Sequence, residues 1–145
     1  MNDWYAAEAK KNRYDYTDEF YRDAILTEDE KKYFWRTVDE VLDATGFNIP
    51  VYMFNHDILP KTCCDALGIH WKKVDGSDEF ITVDTYFIHE SYDIAFHGAY
   101  NIDGETLVSV LCHELAHIRY QRHTKYHADL TEKYIGMVER KEANK

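Results

Sequence analysis

Between residues 113 and 123 the chain reads His113-Glu114-Leu115-Ala116-His117 and then, after five more residues, His123. Two histidines four positions apart on a helix are separated by about 40° of rotation and one turn of rise, so both imidazoles can reach one metal ion. Glu114, next to the first of them, would stand beside that ion. There it can take a proton from a metal-activated water while the metal polarises a carbonyl. A shuffled chain of this composition contains H-E-x-x-H in roughly 4% of cases, and a further His six places on in about one of eighteen. Together these fall to about 0.2%, too rare for a chance reading to be preferred. The motif also lies in an apolar run with Leu111, Cys112, Leu115 and Ala116, where three ionisable side chains would be costly without a shared partner.

His123 can join the pair only if the helix stops. Six residues of helix are about 240° of rotation, which would turn His123 away from the metal. The chain is therefore expected to leave the helix between about Arg119 and Arg122, with Thr124 capping a new helix that runs toward Glu142. Three imidazoles and one open position are the catalytic arrangement of zinc. His113, His117 and His123 are thus the expected metal ligands, Glu114 the expected general base, and Zn2+ the expected ion.

The pattern H-E-x-x-H-x5-H, with its third histidine opening His123-Thr124-Lys125-Tyr126-His127, resembles the signature of small zincin metallopeptidases of the SprT-like, WLM and YgjP-type group. The resemblance covers residues 105–130 closely and 47–100 only in topology. It implies a small sheet beside the active-site helix, an edge strand that holds a peptide substrate extended, zinc on His113, His117 and His123, and Glu114 as base. Metzincins share the spacing but carry glycine where this chain has Tyr120, and no Met-turn is found. Where the group has an aromatic residue, this chain has His127, open to four readings: a helix residue, a group behind the ligands, an oxyanion stabiliser or a rival ligand. SprT-like and WLM proteins reach DNA-linked substrates through basic extra segments, and this acidic chain shows none.

The elements that must position these residues follow from periodicity. Thr27-Glu28-Asp29-Glu30 is a capping-box pattern, and Tyr33, Phe34, Val38, Val41 and Leu42 recur at helical spacing, which predicts a helix over 28–45 stopped by Gly46. Residues 49–54 predict a strand, pushed to an edge or a start by Pro50. Residues 69–74 and 80–88 flank Asp75-Gly76-Ser77-Asp78 and predict a hairpin, with 94–96 a further short strand. Residues 55–68 read as a loop with one helical turn. Asp103 reads as the cap of the H-E-x-x-H helix. Aromatics at Trp4, Tyr5, Tyr14, Tyr16, Phe20 and Tyr21 suggest short N-terminal helices packed on the body. Either the 69–88 hairpin or the 94–100 segment is expected to offer the strand edge along which a peptide binds.

The chain has 145 residues, with 6 Gly and 2 Pro, no repeat and no linker, which predicts one zincin-like domain over 1–145. The expected class is α+β, with a small antiparallel or mixed sheet of three to four strands against the active-site helix and flanking helices. A 15% aromatic share excludes a disordered chain. The net charge of −10 argues against nucleic acid as a partner, and no apolar run is long enough for a membrane span. With 3 Cys and a polar N-terminus, a reduced, cytoplasmic setting is the expectation. The predicted function is a zinc metallopeptidase acting on peptide or protein substrates, with a zinc-binding regulatory or interaction protein on the same fold as the alternative.

Other ionisable residues are weaker candidates. Asp129, Glu132 and Glu139 on the last helix read as a solvated face. His56, His70, His89 and His97 read as structural or surface residues, with His97 the one to test against substrate. Cys112 reads as a small core residue, and Cys63–Cys64 lacks the second pair a zinc ribbon needs. Tyr120, Tyr126 and Tyr134 could offer a phenol to a tetrahedral intermediate, although packing accounts for any one of 12 Tyr.

Overall fold

The computed structural model describes residues 26–59, 66–73, 75–101 and 104–144. The expected N-terminal helices, Cys63–Cys64 and Asp103 fall outside these residues.

Helix α1 (Glu28–Thr45) begins where its capping signal lies. The Glu30 N–H donates to the Thr27 hydroxyl at 3.1 Å, and the Thr27 N–H donates to the Glu30 carboxylate at 2.9 Å. Gly46 ends the helix at φ 78°, a left-handed conformation that costs glycine nothing. Phe34, Val38 and Val41 form its buried stripe.

Strand β1 (Val51–Phe54) is followed by a 3-10 turn (His56–Ile58), strand β2 (Gly68–Trp71) and strand β3 (Phe80–Asp84). The sheet order is β1-β3-β2, with β1 parallel and β2 antiparallel to β3. Every residue of β3 is buried, as both faces of a central strand must be when helices cover the sheet. Both β1 and β2 are edges of the described sheet, which agrees with the place Pro50 assigns to β1. The β2–β3 hairpin turns as expected around Gly76, at φ 85°.

Two strand expectations fail. The chain leaves β3 at Asp84 and forms α2 (Thr85–His97), so 85–88 are helical, and 94–96 belong to the same helix. Asp84 is the reason: its carboxylate accepts the Phe87 N–H at 3.4 Å and caps a helix whose β-branched and aromatic residues look strand-like. Thr85, Ile88 and Ser91 are buried at helical spacing, and Gly98 closes the helix at φ 69°.

Helix α3 (Leu107–Ala116) carries the H-E-x-x-H motif. Its cap is Thr106 rather than the expected Asp103, because Thr106 exchanges hydrogen bonds with Ser109 at 3.0 and 2.8 Å. Leu107, Val110, Leu111, Cys112, Leu115 and Ala116 bury it against α1, β2, β3 and α4 (Lys125–Ala143). The described residues therefore form an α+β fold with four α-helices and a three-stranded mixed sheet. Among them no helix is long and apolar enough to cross a membrane.

Candidate metal centre

The helix carrying the motif stops earlier than expected, at Ala116, with His117 as its C-cap. The Ile118 and Arg119 amides then donate to the Leu115 and Ala116 carbonyls at 3.1 and 3.2 Å, a tightened last turn. At the other end of the connection the Thr124 N–H folds back on the Arg122 carbonyl at 2.9 Å, placing His123 at the apex of a three-residue turn. Thr124 then caps α4 as expected, accepting the His127 N–H at 3.3 Å. The break between the two helices is thus shaped at both ends, and His123 points back at α3.

The result is a triangle of nitrogens. The Nε2 atoms of His113, His117 and His123 lie 3.1 Å from one another along all three sides. Four-coordinate zinc with Zn–N bonds of about 2.0–2.1 Å requires neighbouring nitrogens about 3.3 Å apart, so the donor set fits such an ion. The His117 Nδ1–H donates to the Tyr120 carbonyl at 2.9 Å, leaving Nε2 with its lone pair toward the other two rings. Burial, followed by the charges of His117, His127 and His123, pushes the His113 pKa down to about 4. Burial likewise lowers that of His117. Both rings are therefore neutral near pH 7, the form that binds metal.

His127 offers a second possible set, because one ring atom each of His113, His117 and His127 lies within 4.8 Å of the others. Its own hydrogen bond takes up one of its two ring nitrogens. The His127 Nε2–H donates to the His113 carbonyl at 3.0 Å, and the ring, 3% exposed, lies against His117 at 4.1 Å between centroids. His127 braces the helix segment that presents His113, and the triangle closes on His123.

Glu114 is 5% exposed, with Oε2 4.0 Å from the His113 Nε2. Burial raises its pKa to about 8, and the His70 backbone N–H facing the carboxylate opposes that shift. A cation held by the triad would favour the carboxylate form, as an opposite charge at this range does.

The triad and Glu114 open into a cleft of about 650 Å³ walled on one side by Gly68, Ile69 and His70 of β2, with Lys72 beyond, and on the other by Glu105 and Val110. The wall is the hairpin edge of the sequence reading; the 94–100 segment supplies none of it. Of the residues around the site, sequence reasoning passed over Gly68, took His70 for a structural or surface residue and left His127 open among four readings. His127 had a signal in its position opposite the expected aromatic, whereas Gly68 and His70 had none beyond lying in a strand.

The remaining candidates lie elsewhere. His97 pairs with Asp93 at 2.7 Å on the exposed end of α2. His89 pairs with Glu30 at 2.5 Å. Asp129, Glu132 and Glu139 are exposed, and Cys112 is fully buried. Tyr120 and Tyr126 stack on each other at 6.0 Å and are not part of the cleft lining.

Comparison with protein-family models, with curated proteins and with solved structures found no match to this chain.

Proposed function

We propose that this chain is a zinc-dependent metallopeptidase with a zincin-like active site, in which His113, His117 and His123 hold the ion and Glu114 is the general base. One observation carries the reading: three imidazole Nε2 atoms converge to 3.1 Å with a buried carboxylate 4.0 Å from one of them. Three Nε2 atoms so arranged form a donor set that one shared cation can bridge. Zinc bound there supplies a Lewis acid for a carbonyl and lowers the pKa of water.

The rest of the chemistry belongs to the chain. Glu114, held in a dry flank of the cleft, takes a proton from the attacking water and returns it to the leaving amine. Among the described residues strand β2 pairs with β3 alone, so its outer edge can hold a peptide extended by main-chain hydrogen bonds. The buried face of α3 fixes the backbone that carries both histidines, and the His117 Nδ1–H bond to the Tyr120 carbonyl orients one of the rings before the ion arrives.

Metal analysis of the purified protein, combined with digestion of a broad peptide library, tests the reading. About one equivalent of zinc per chain and cleavage of internal peptide bonds are expected. Glu114→Gln keeps the metal and lowers turnover about 10²–10⁴-fold. A wild type that binds zinc and cleaves nothing in the library moves the assignment to a zinc-binding regulatory protein. Unchanged turnover in Glu114→Gln sinks the mechanism.

A further inference from the structure

Gly68 sits where β2 packs against Val110 and Glu114 of α3. A Cβ placed on it would lie 2.7 Å from the Val110 Cγ1, 2.9 Å from the Glu114 Cγ and 3.2 Å from the Glu114 Oε2. The backbone does not call for glycine at this point, since the positive-φ glycines are Gly46, Gly76, Gly98 and Gly104. Close approach is the remaining reason for a bare Cα in a strand.

The strand has little freedom to retreat. Gly68 is in register with Val83 of β3, and the Asp84 N–H holds the Leu67 carbonyl at 2.9 Å. Val110 is β-branched, 5% exposed and stiff at χ1. Of the atoms a Cβ would meet, those of Glu114 are the ones able to move by rotamer change, and moving them carries the carboxylate off its place 4.0 Å from the His113 Nε2. Two residues along the same strand, the His70 backbone N–H faces that carboxylate. One short stretch of edge strand therefore touches the stem of the Glu114 side chain at Gly68 and its head at His70.

We propose that Gly68 is a positioning residue for the general base, leaving room at the cleft edge for the one Glu114 rotamer that sets its carboxylate between the His70 amide and the histidine triad. The kinetic consequence rests on the peptidase reading; the placement of Glu114 does not.

Gly68→Ala tests it in two independent ways. In the metal-free protein, amide hydrogen exchange at His70 should become faster, as it should in Glu114→Ala, because both variants take the carboxylate away from the N–H. In the zinc-loaded protein, kcat should fall about 10–100-fold, the effect of misplacing a catalytic group by roughly 1 Å. KM and zinc affinity should stay within about twofold, since neither the triad nor the strand edge has lost a group. A purely structural glycine would instead lower zinc affinity in step with kcat, and that result would overturn the proposal. Exchange at His70 that matches the wild type in Gly68→Ala would also overturn it, whatever the kinetics.

Should Gly68→Ala fail to fold, the double variant Gly68→Ala/Val110→Ala removes the 2.7 Å contact and keeps the one at 2.9 Å to Glu114. The same expectations apply to it, and full recovery of kcat and His70 protection would assign the glycine to Val110 packing alone. A wild type without peptide turnover would defeat the peptidase reading, while the His70 exchange rates would still decide the positioning role.

Discussion

His56 and the His113–His117–His123 triad are two histidine sites in one small fold, built on opposite terms. His56 is fully buried, and each ring nitrogen has its own partner: Nδ1 meets the Ala66 carbonyl at 2.5 Å and Nε2 meets the Thr82 hydroxyl at 2.9 Å. Thr82 in turn accepts the Trp71 indole N–H at 2.8 Å, so its own proton is free to point at His56. Burial pushes the His56 pKa down to about 4, and the neutral ring satisfies its whole neighbourhood. In the triad the Nε2 atoms face one another, His123 is exposed, and the cluster opens to a cleft. A histidine with a separate partner for each nitrogen ties chain segments together. Histidines whose Nε2 atoms converge on one point form instead a donor set that one cation could share.

The largest effect expected from this contrast is on metal affinity. His117→Ala should weaken zinc binding by more than about a hundredfold in competition with a chromophoric chelator, and His123→Ala should do the same. His56→Ala should leave that affinity within about twofold. If His123→Ala retained full affinity, the third ligand would be His127 and the contrast between the two sites would need redrawing.

Next in size is the reverse experiment on stability. His56→Ala removes a fully buried ring and strands the Ala66 carbonyl and the Thr82 hydroxyl, at a cost of about 2–4 kcal/mol. Denaturant unfolding of the metal-free protein measures it. His123→Ala, an exposed substitution, should cost under about 0.5 kcal/mol in the same assay.

A sharper form of the comparison uses pH. The Asp84 carboxylate accepts the His56 backbone N–H at 3.0 Å, and burial outweighs that hydrogen bond, raising the Asp84 pKa to about 6. Because the folded state holds this proton more tightly than the unfolded chain, the Asp84 contribution is full below the unfolded value of 3.8 and is lost as pH rises toward about 6. His56 does the opposite. Its folded value of about 4 lies below the unfolded 6.5, so its contribution is full above 6.5 and is lost as pH falls toward about 4. The two slopes nearly cancel between pH 4 and 6. Asp84→Asn keeps an N-capping oxygen and removes one slope. Metal-free stability should then rise by on the order of 2–3 kcal/mol across that interval. A flat profile in Asp84→Asn would contradict the account of His56.

The smallest expected effect concerns the histidine that stands between the two classes. His127 is buried like His56 and touches the triad like a ligand. His127→Phe keeps the ring and deletes the bond to the His113 carbonyl, and should weaken zinc binding about tenfold to a hundredfold, the range for groups behind a ligand. A loss as large as that of His117→Ala would make His127 a ligand.

Much of this contrast can be read before folding, and the readable part is local. The i, i+4 spacing of His113 and His117 fixes their common face because helix geometry alone relates them. The Thr27–Glu30 box and the Thr124 cap were legible because a cap is satisfied within three residues. Residues 85–88 and 94–96 were misread for the complementary reason: aromatic and β-branched residues are compatible with either period. The deciding signal was the Asp84 cap, which competes with the start of a helix in an ambiguous run.

What the sequence by itself determined, then, is the inventory and the first-order placement of the candidate chemistry. It put the paired histidines and Glu114 on one buried helix, required a break before His123, and marked the start of α4. The tertiary structure decided which further groups surround them. The turn at His123 closes the triangle to 3.1 Å, His127 is taken up by the His113 carbonyl, and β2 comes near enough to Glu114 that only Gly68 fits. Short-range periodicity and capping depend on a few neighbouring residues and are written along the chain. The distance between a strand edge at residue 68 and a helix at residue 114 depends on how two segments pack across the core, and that exists only once the whole chain has folded.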